Sequence, residues 1–232
     1  RIEHAKTSAE RDSLYIELAA IAAGKGDMRA REYASKLEDP ETRKQVQVYV
    51  DASLAIRLVD KKQTDQALEV VHKGELSQLL KTWVLTECAK QLVKTDRDKA
   101  LELIDEAATE ARRIDVSDPS LPRALIAVAY AINVIDRERV WDATFDAVKA
   151  ANSAEGFTGE DGEVVAKFQS KGHSSVHTND VAEFDLEGIF RDLALQDYDR
   201  SVELARGFQA EGPRAVATIA IARAILEPPK KK

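Results

Sequence analysis

Three six-residue segments of this 232-residue chain share one layout: Asp96-Arg97-Asp98-Lys99-Ala100-Leu101, Asp136-Arg137-Glu138-Arg139-Val140-Trp141 and Asp197-Tyr198-Asp199-Arg200-Ser201-Val202. Each follows an Ala-rich apolar segment and opens a more charged one. An Asp at such a junction can accept the unpaired N–H groups of a starting helix, and a small residue one turn later lets that helix lie close against its partner. Recurrence of one junction constrains the chain to stacked helix pairs. That architecture presents a binding surface more readily than an enclosed catalytic pocket.

The rest of the chain fits this reading. Ser8 to Ala23 is expected to form a first helix on Leu14, Leu18, Ile21 and Ala22, broken by Gly24-Lys25-Gly26-Asp27. A second helix follows from Asp27 through Leu37. Pairs are predicted at about 41–59 with 64–73, and at 75–94 with 97–114. Helix 75–94 carries Leu76, Leu79, Leu80, Trp83, Val84 and Cys88 on one side and Leu85, Ala89, Leu92 and Val93 on a second, so it needs neighbours on both. Pro122-Arg123-Ala124 and Pro213-Arg214-Ala215 open two closely similar apolar helices, with proline in the first turn where its missing N–H costs nothing. Helix 137–150 is expected to turn Val140, Trp141, Thr144, Phe145 and Val148 inward. Residues 152–182 interrupt the rhythm. There Val164, Ala166 and Phe168 alternate with Val165, Lys167 and Gln169, which suits either a β-hairpin pairing 163–169 with 174–179 or a disordered loop. Helices resume at about 185–195, 198–209 and 213–226, before a frayed tail at Pro228 to Lys232.

The predicted fold is therefore all-α: a solenoid of about five antiparallel helix pairs plus a C-terminal helix. It forms one domain over 1–232, with the non-helical insertion 152–182 projecting from an edge. Composition agrees, with 44% hydrophobic, 32% charged and only 6% aromatic residues. A formal net charge of −7 disfavours nucleic acid as a partner. No apolar run reaches the roughly 20 residues of a membrane span. Numbering opens at Arg1, which points to a missing upstream segment, whether a leader or a further domain, so the compartment stays open between cytoplasm and export.

The small residues that open the second helices are spaced 37 (Ala30 to Ala67), 33 (Ala67 to Ala100) and 40 (Ala100 to Val140) apart. Val140 to Ser201 is 61, or about 33 once an insertion of roughly 28 residues is set aside. With Ala100, Ile104 and Ala107 in a second helix, the chain resembles tetratricopeptide-type repeats, whose period is about 34. Ala67, Val71 and Gly74, and Ser201, Ala205 and Phe208, depart from that signature, and HEAT-like packing fits as well. Pro213 to Leu226 is similar to the end of bacterial helical-repeat proteins that carry no assigned activity to transfer. The resemblance implies a groove that binds a protein segment.

Little in the sequence suggests catalysis or a cofactor. Arg97, Lys99, Arg137, Arg139 and Arg200 recur at helix openings and could line a rim for an acidic peptide; they could equally pair with neighbouring Asp residues. His173 and His177 are four apart, a metal-sharing spacing on a helix but not in this non-helical segment. Gly159-Glu160-Asp161-Gly162-Glu163 is acidic yet lacks the alternating ligands of a calcium loop. Cys88 sits on an apolar stripe with nothing nearby in sequence to activate it, and the sequence pattern around His4 and His72 assigns them no role. The function expected is a non-catalytic interaction or scaffold module with a protein or peptide partner. The alternatives are a structural helical domain of a larger exported protein and, further off, a metal-binding protein or enzyme using the insertion.

Overall fold

A computed structural model describes residues 5, 7–170 and 173–227, without the side chains of Ser170 and His173. The fold is all-α with one two-stranded antiparallel sheet. The chain divides into two compact units, Arg1–Leu80 with Val164–Asn179, and Lys81–Glu163 with Asp180–Lys232.

In the first unit α1 (Ser8–Gly24), α2 (Arg29–Ser35), α3 (Pro40–Asp60) and α4 (Thr64–Lys73) form two helix hairpins, with α1 packed on both α2 and α3. Pro40 opens α3 behind Asp39, whose carboxylate accepts the Thr42 N–H at 3.0 Å. The buried stripe of α1 is Ile16, Ala19, Ala22 and Ala23. The predicted stripe is therefore rotated: Leu18 is 36% exposed and Ile21 49%. Small residues won the contact face because they allow α1 to approach its neighbours closely.

The insertion forms strands β1 (Glu163–Ser170) and β2 (His173–Asp180). It does not stand free. Ala166 and Phe168 are buried, while Val165, Lys167 and Gln169 face outward, the alternation expected of a half-buried strand. Phe168 meets the ring of Tyr49 on α3 edge-on at 5.1 Å, and the Ser175 hydroxyl donates to the Tyr49 oxygen at 2.9 Å.

The second unit holds most of α5 (Gln78–Leu92), then α6 (Arg97–Ala111), α7 (Ser120–Ile135), α8 (Val140–Ser153), a 3₁₀ turn at Ala182–Phe184, α9 (Leu186–Gln196), α10 (Tyr198–Arg206) and α11 (Glu211–Leu226). From α7 onward most helices pack on the next in the chain and on the one after it: α7 on α8 and α9, α8 on α10, and α9 on α10 and α11. Both α7 and α11 start two residues earlier than their prolines suggest. Pro122 and Pro213 thus occupy the third helical position, still inside the turn whose N–H groups have no helical acceptor. Phe145, expected in the core, is 52% exposed with the Lys149 ammonium 5.6 Å from its ring centre. Gly188 explains how α9 reaches α7: a Cβ there would overlap the Tyr130 phenol.

The recurring junction has one geometry. Asp96, Asp136 and Asp197 adopt φ, ψ of −149°, 85°; −148°, 93°; and −154°, 103°. In each, the backbone N–H closes the preceding helix on the carbonyl four residues back, at 2.7–2.8 Å. The carboxylate then accepts the N–H three residues ahead, from Lys99 (3.0 Å), Arg139 (3.4 Å) and Arg200 (3.1 Å). Asp96 and Asp197 cap α6 and α10 directly, and Asp136 caps the turn that runs into α8. One residue ends one helix and begins the next. Ala100, Val140 and Ser201, four positions on, are fully buried, as are Ala30 and Ala67.

Candidate functional site

In the second unit α6, α7, α8 and α10 carry a surface with two depressions. The larger, about 460 Å³, has a floor of Ile104 and Ala108 on α6, Leu125, Val128 and Ile132 on α7, and Ala143 on α8. Asp105, Arg112, Arg139, Asp142 and Asp146 form its rim. None of these five charges joins an ion pair among the described residues. The smaller depression, about 350 Å³, lies between α8 and α10 and is lined by Trp141, Phe145, Arg200, Glu203 and Leu204. Asp142 borders both.

This geometry follows from the junctions. Because Asp96, Asp136 and Asp197 cap the segments that lead into α6, α8 and α10, those helices begin in the same way and each turns its small residue inward. Opposite that buried residue each helix exposes charged positions, and on α8 an aromatic ring as well. Large apolar groups beside uncompensated charges are the composition of a recognition surface rather than of a solvated helix face.

The five predicted basic residues are not brought together as one rim. Arg97 donates to the Ile135 carbonyl at 3.1 Å and so ties α6 to the end of α7. Lys99 pairs with Glu102 on its own helix at 3.0 Å. Arg137 acts on Asp192, whose carboxyl burial pushes up and Asn133 and Arg137 pull back. Arg200 lies over the Trp141 ring at 4.4 Å, a cation–π contact that builds one wall of the smaller depression. Only Arg139 reaches the larger one.

Other candidates resolve into structure. Asp161, in the acidic segment, accepts from Thr158 N (2.8 Å), Thr158 Oγ1 (3.0 Å) and Gly159 N (3.0 Å), closing a turn on its own backbone. The His173 side chain and His4 lie outside the described residues, as does the tail from Pro228. His177 is half-buried on β2, and its Nε2 has no hydrogen-bond partner among the described residues. No group of three or more His, Cys, Asp or Glu side chains could hold a metal ion among the described residues. Cys88 is buried in α5.

Two buried charge clusters were missed by the sequence reading. In the first unit Asp51 on α3 faces Arg31 at 2.9 Å and accepts the Glu75 N–H at 2.8 Å, while Arg31 donates to the Lys73 carbonyl at 2.8 Å. Burial pushes the Asp51 carboxyl up in spite of these partners. In the second unit Lys90 on α5 lies between Glu87 and Glu183, the latter at 2.8 Å. Burial pulls the ammonium down, but the two carboxylates outweigh it and hold Lys90 above its usual range. These clusters lock α2, α4 and the 3₁₀ turn in place, and neither opens into a depression described above. A charged residue inside an apolar helical stripe, as Asp51 is between Val50 and Ser53-Leu54, is the signal that would have found the first.

No helix among the described residues is long and apolar enough to cross a membrane. No protein-family model matches the chain, and neither curated proteins nor solved structures provide a match.

Proposed function

We propose that this protein is a non-catalytic interaction module whose second unit binds a segment of another protein across α6, α7, α8 and α10. The observation that carries this reading is the pair of depressions joined at Asp142, where an apolar floor lies under charges that find no ion-pair partner among the described residues. An amphipathic segment would bury its apolar side on Leu125, Ala143 and Phe145 and answer the rim with polar groups of either sign. The rim carries Arg112 and Arg139 together with three Asp residues, so the partner is not selected as a purely acidic peptide. Tetratricopeptide-like pairing of the helices is consistent with this use but does not carry it.

The test is selection of a displayed peptide library on the intact protein, followed by titration of the recovered peptides. Leu125→Glu, Asp142→Arg and Phe145→Ser should each weaken binding at least about tenfold, since each removes a central contact. Peptides that bind all three variants as tightly as the parent would place recognition elsewhere and refute the proposal.

A further inference from the structure

The last helix, α11, is apolar on two opposite sides. Its inner side, Pro213, Ala217, Ala220, Ile221 and Ala224, is buried. Its outer side carries Ala215, Ile219, Ala222 and Leu226, all exposed, with Ile219 at 51% and Leu226 at 79%. Their spacing of four, three and four residues is that of a two-helix seam, narrower than the stripe that a globular core requires.

We infer that the outer side of α11 pairs with the same side of α11 in a second copy of this chain, antiparallel, about a two-fold axis. The argument is the order of side-chain sizes. Antiparallel pairing sets Ile219 against Ala222 of the second copy and Leu226 against its Ala215, so every layer holds one large and one small residue. The two-fold axis repeats each layer with the roles exchanged. Parallel pairing would stack Ala on Ala and Leu on Leu, leaving voids in alternate layers and crowding in the others. The flanks permit the antiparallel contact as well. On one side Arg223 runs beside Val216 of the second copy, and on the other Thr218 and Ile225 meet their counterparts, so no like charges are forced together. One helix pair covers less than the roughly 1,200–2,000 Å² of a stable interface, so association is weak and rises with concentration.

Sedimentation equilibrium of the intact protein from about 10 μM to about 1 mM tests this, on the weak side of the affinity scale. The weight-average mass should climb from 25.6 kDa toward twice that value. Ile219→Glu and Ala222→Glu alter exposed side chains, should keep the helical circular dichroism of the parent, and should weaken association at least about tenfold. A mass of 25.6 kDa across the whole range, or association unchanged in both variants, overturns the inference. Cysteine variants read the direction. Ile219→Cys mixed with Ala222→Cys should cross-link as a heterodimer under mild oxidation. Ala215→Cys alone should not cross-link, because antiparallel pairing separates the two copies of residue 215 by about 16 Å along the axis. Ready cross-linking of Ala215→Cys to itself would mean parallel pairing and would refute the seam.

Discussion

The two units turn the chain between paired helices by different chemistry. In the first, the corners use a left-handed residue: Gly26 at φ 69° and Lys62 at φ 57°. Each closes its helix with two crossed hydrogen bonds, Gly26 N to Ala23 O with Asp27 N to Ala22 O, and Lys62 N to Val59 O with Gln63 N to Leu58 O. In the second unit the corners at Asp96, Asp136 and Asp197 stay at negative φ and use a side-chain carboxylate to begin the next helix. The first solution depends on backbone conformation and tolerates almost any side chain except for its steric cost. The second depends on one carboxylate and leaves a readable sequence mark. Both deliver a wholly buried small residue to the following helix.

The interior charges extend the contrast and give the largest expected effect. Asp51→Ala removes a carboxylate that is 3% exposed and leaves Arg31 and the Glu75 N–H without their partner. It should cost about 3 kcal/mol, read by urea denaturation. A loss no greater than that of a surface substitution would mean that the first unit is not held by this cluster. In the second unit Gly188→Ala drives a methyl into Tyr130, and a loss of about 2 kcal/mol is expected, with hydrogen exchange accelerating first in α7 and α9. Unchanged protection there would break the account of close α7–α9 packing.

Removing single caps comes next. Asp96→Ala and Asp197→Ala should each lower stability by about 1 kcal/mol, and the corresponding Asn variants should lose less. Lys62→Gly should do the reverse in the first unit, raising stability by roughly 0.5–1 kcal/mol, because glycine meets no steric penalty at positive φ. If both sets of changes are neutral, the corners do not depend on these devices. The smallest effect concerns Asp185, whose carboxyl is pushed up to about 6 by burial, with Asp180, Asp161 and Glu160 adding repulsion and an Asp161 backbone hydrogen bond opposing. A carboxyl with a raised folded pKa favours the protonated folded state, so this contribution is present at low pH and is lost as pH rises from about 4 through about 6. Asp185→Asn should flatten the melting temperature over that window and raise stability above it, by under about 1 kcal/mol after solvent screening. A melting-temperature difference between the parent and Asp185→Asn that stays constant, or shifts in the parent's favour, as pH rises through that window would contradict the sign.

Much of this fold was legible because its signals are local. The Asp caps, the first-turn prolines and the alternation of Val164, Ala166 and Phe168 each act within a few residues, and the elements they predict are present. The orientation of α1 was not legible. Leu14, Leu18 and Ile21 form the more hydrophobic stripe, yet Ile16, Ala19 and Ala23 meet the neighbouring helices, because contact there rewards close approach over side-chain size. Phe145 failed in the same way: it belongs to an apolar helix face by spacing, but no described element covers it. At the candidate site, Arg139 was expected from sequence as a binding residue, while Ile104, noted only for its place in the repeat, and Leu125, Asp142 and Asp146 were not. They come from three helices, and nothing in a linear pattern says which exposed faces will adjoin.

The sequence by itself determined which segments are helical and that Ala30, Ala67, Ala100, Val140 and Ser201 turn inward, since capping, proline and periodicity are decided by neighbours along the chain. Only the tertiary structure decided which apolar stripes face solvent and which cations are absorbed by carbonyls, carboxylates and an indole ring. It also decided that charges from α6 and α8 rim one depression, because such contacts join residues tens of positions apart and depend on close packing rather than on propensity.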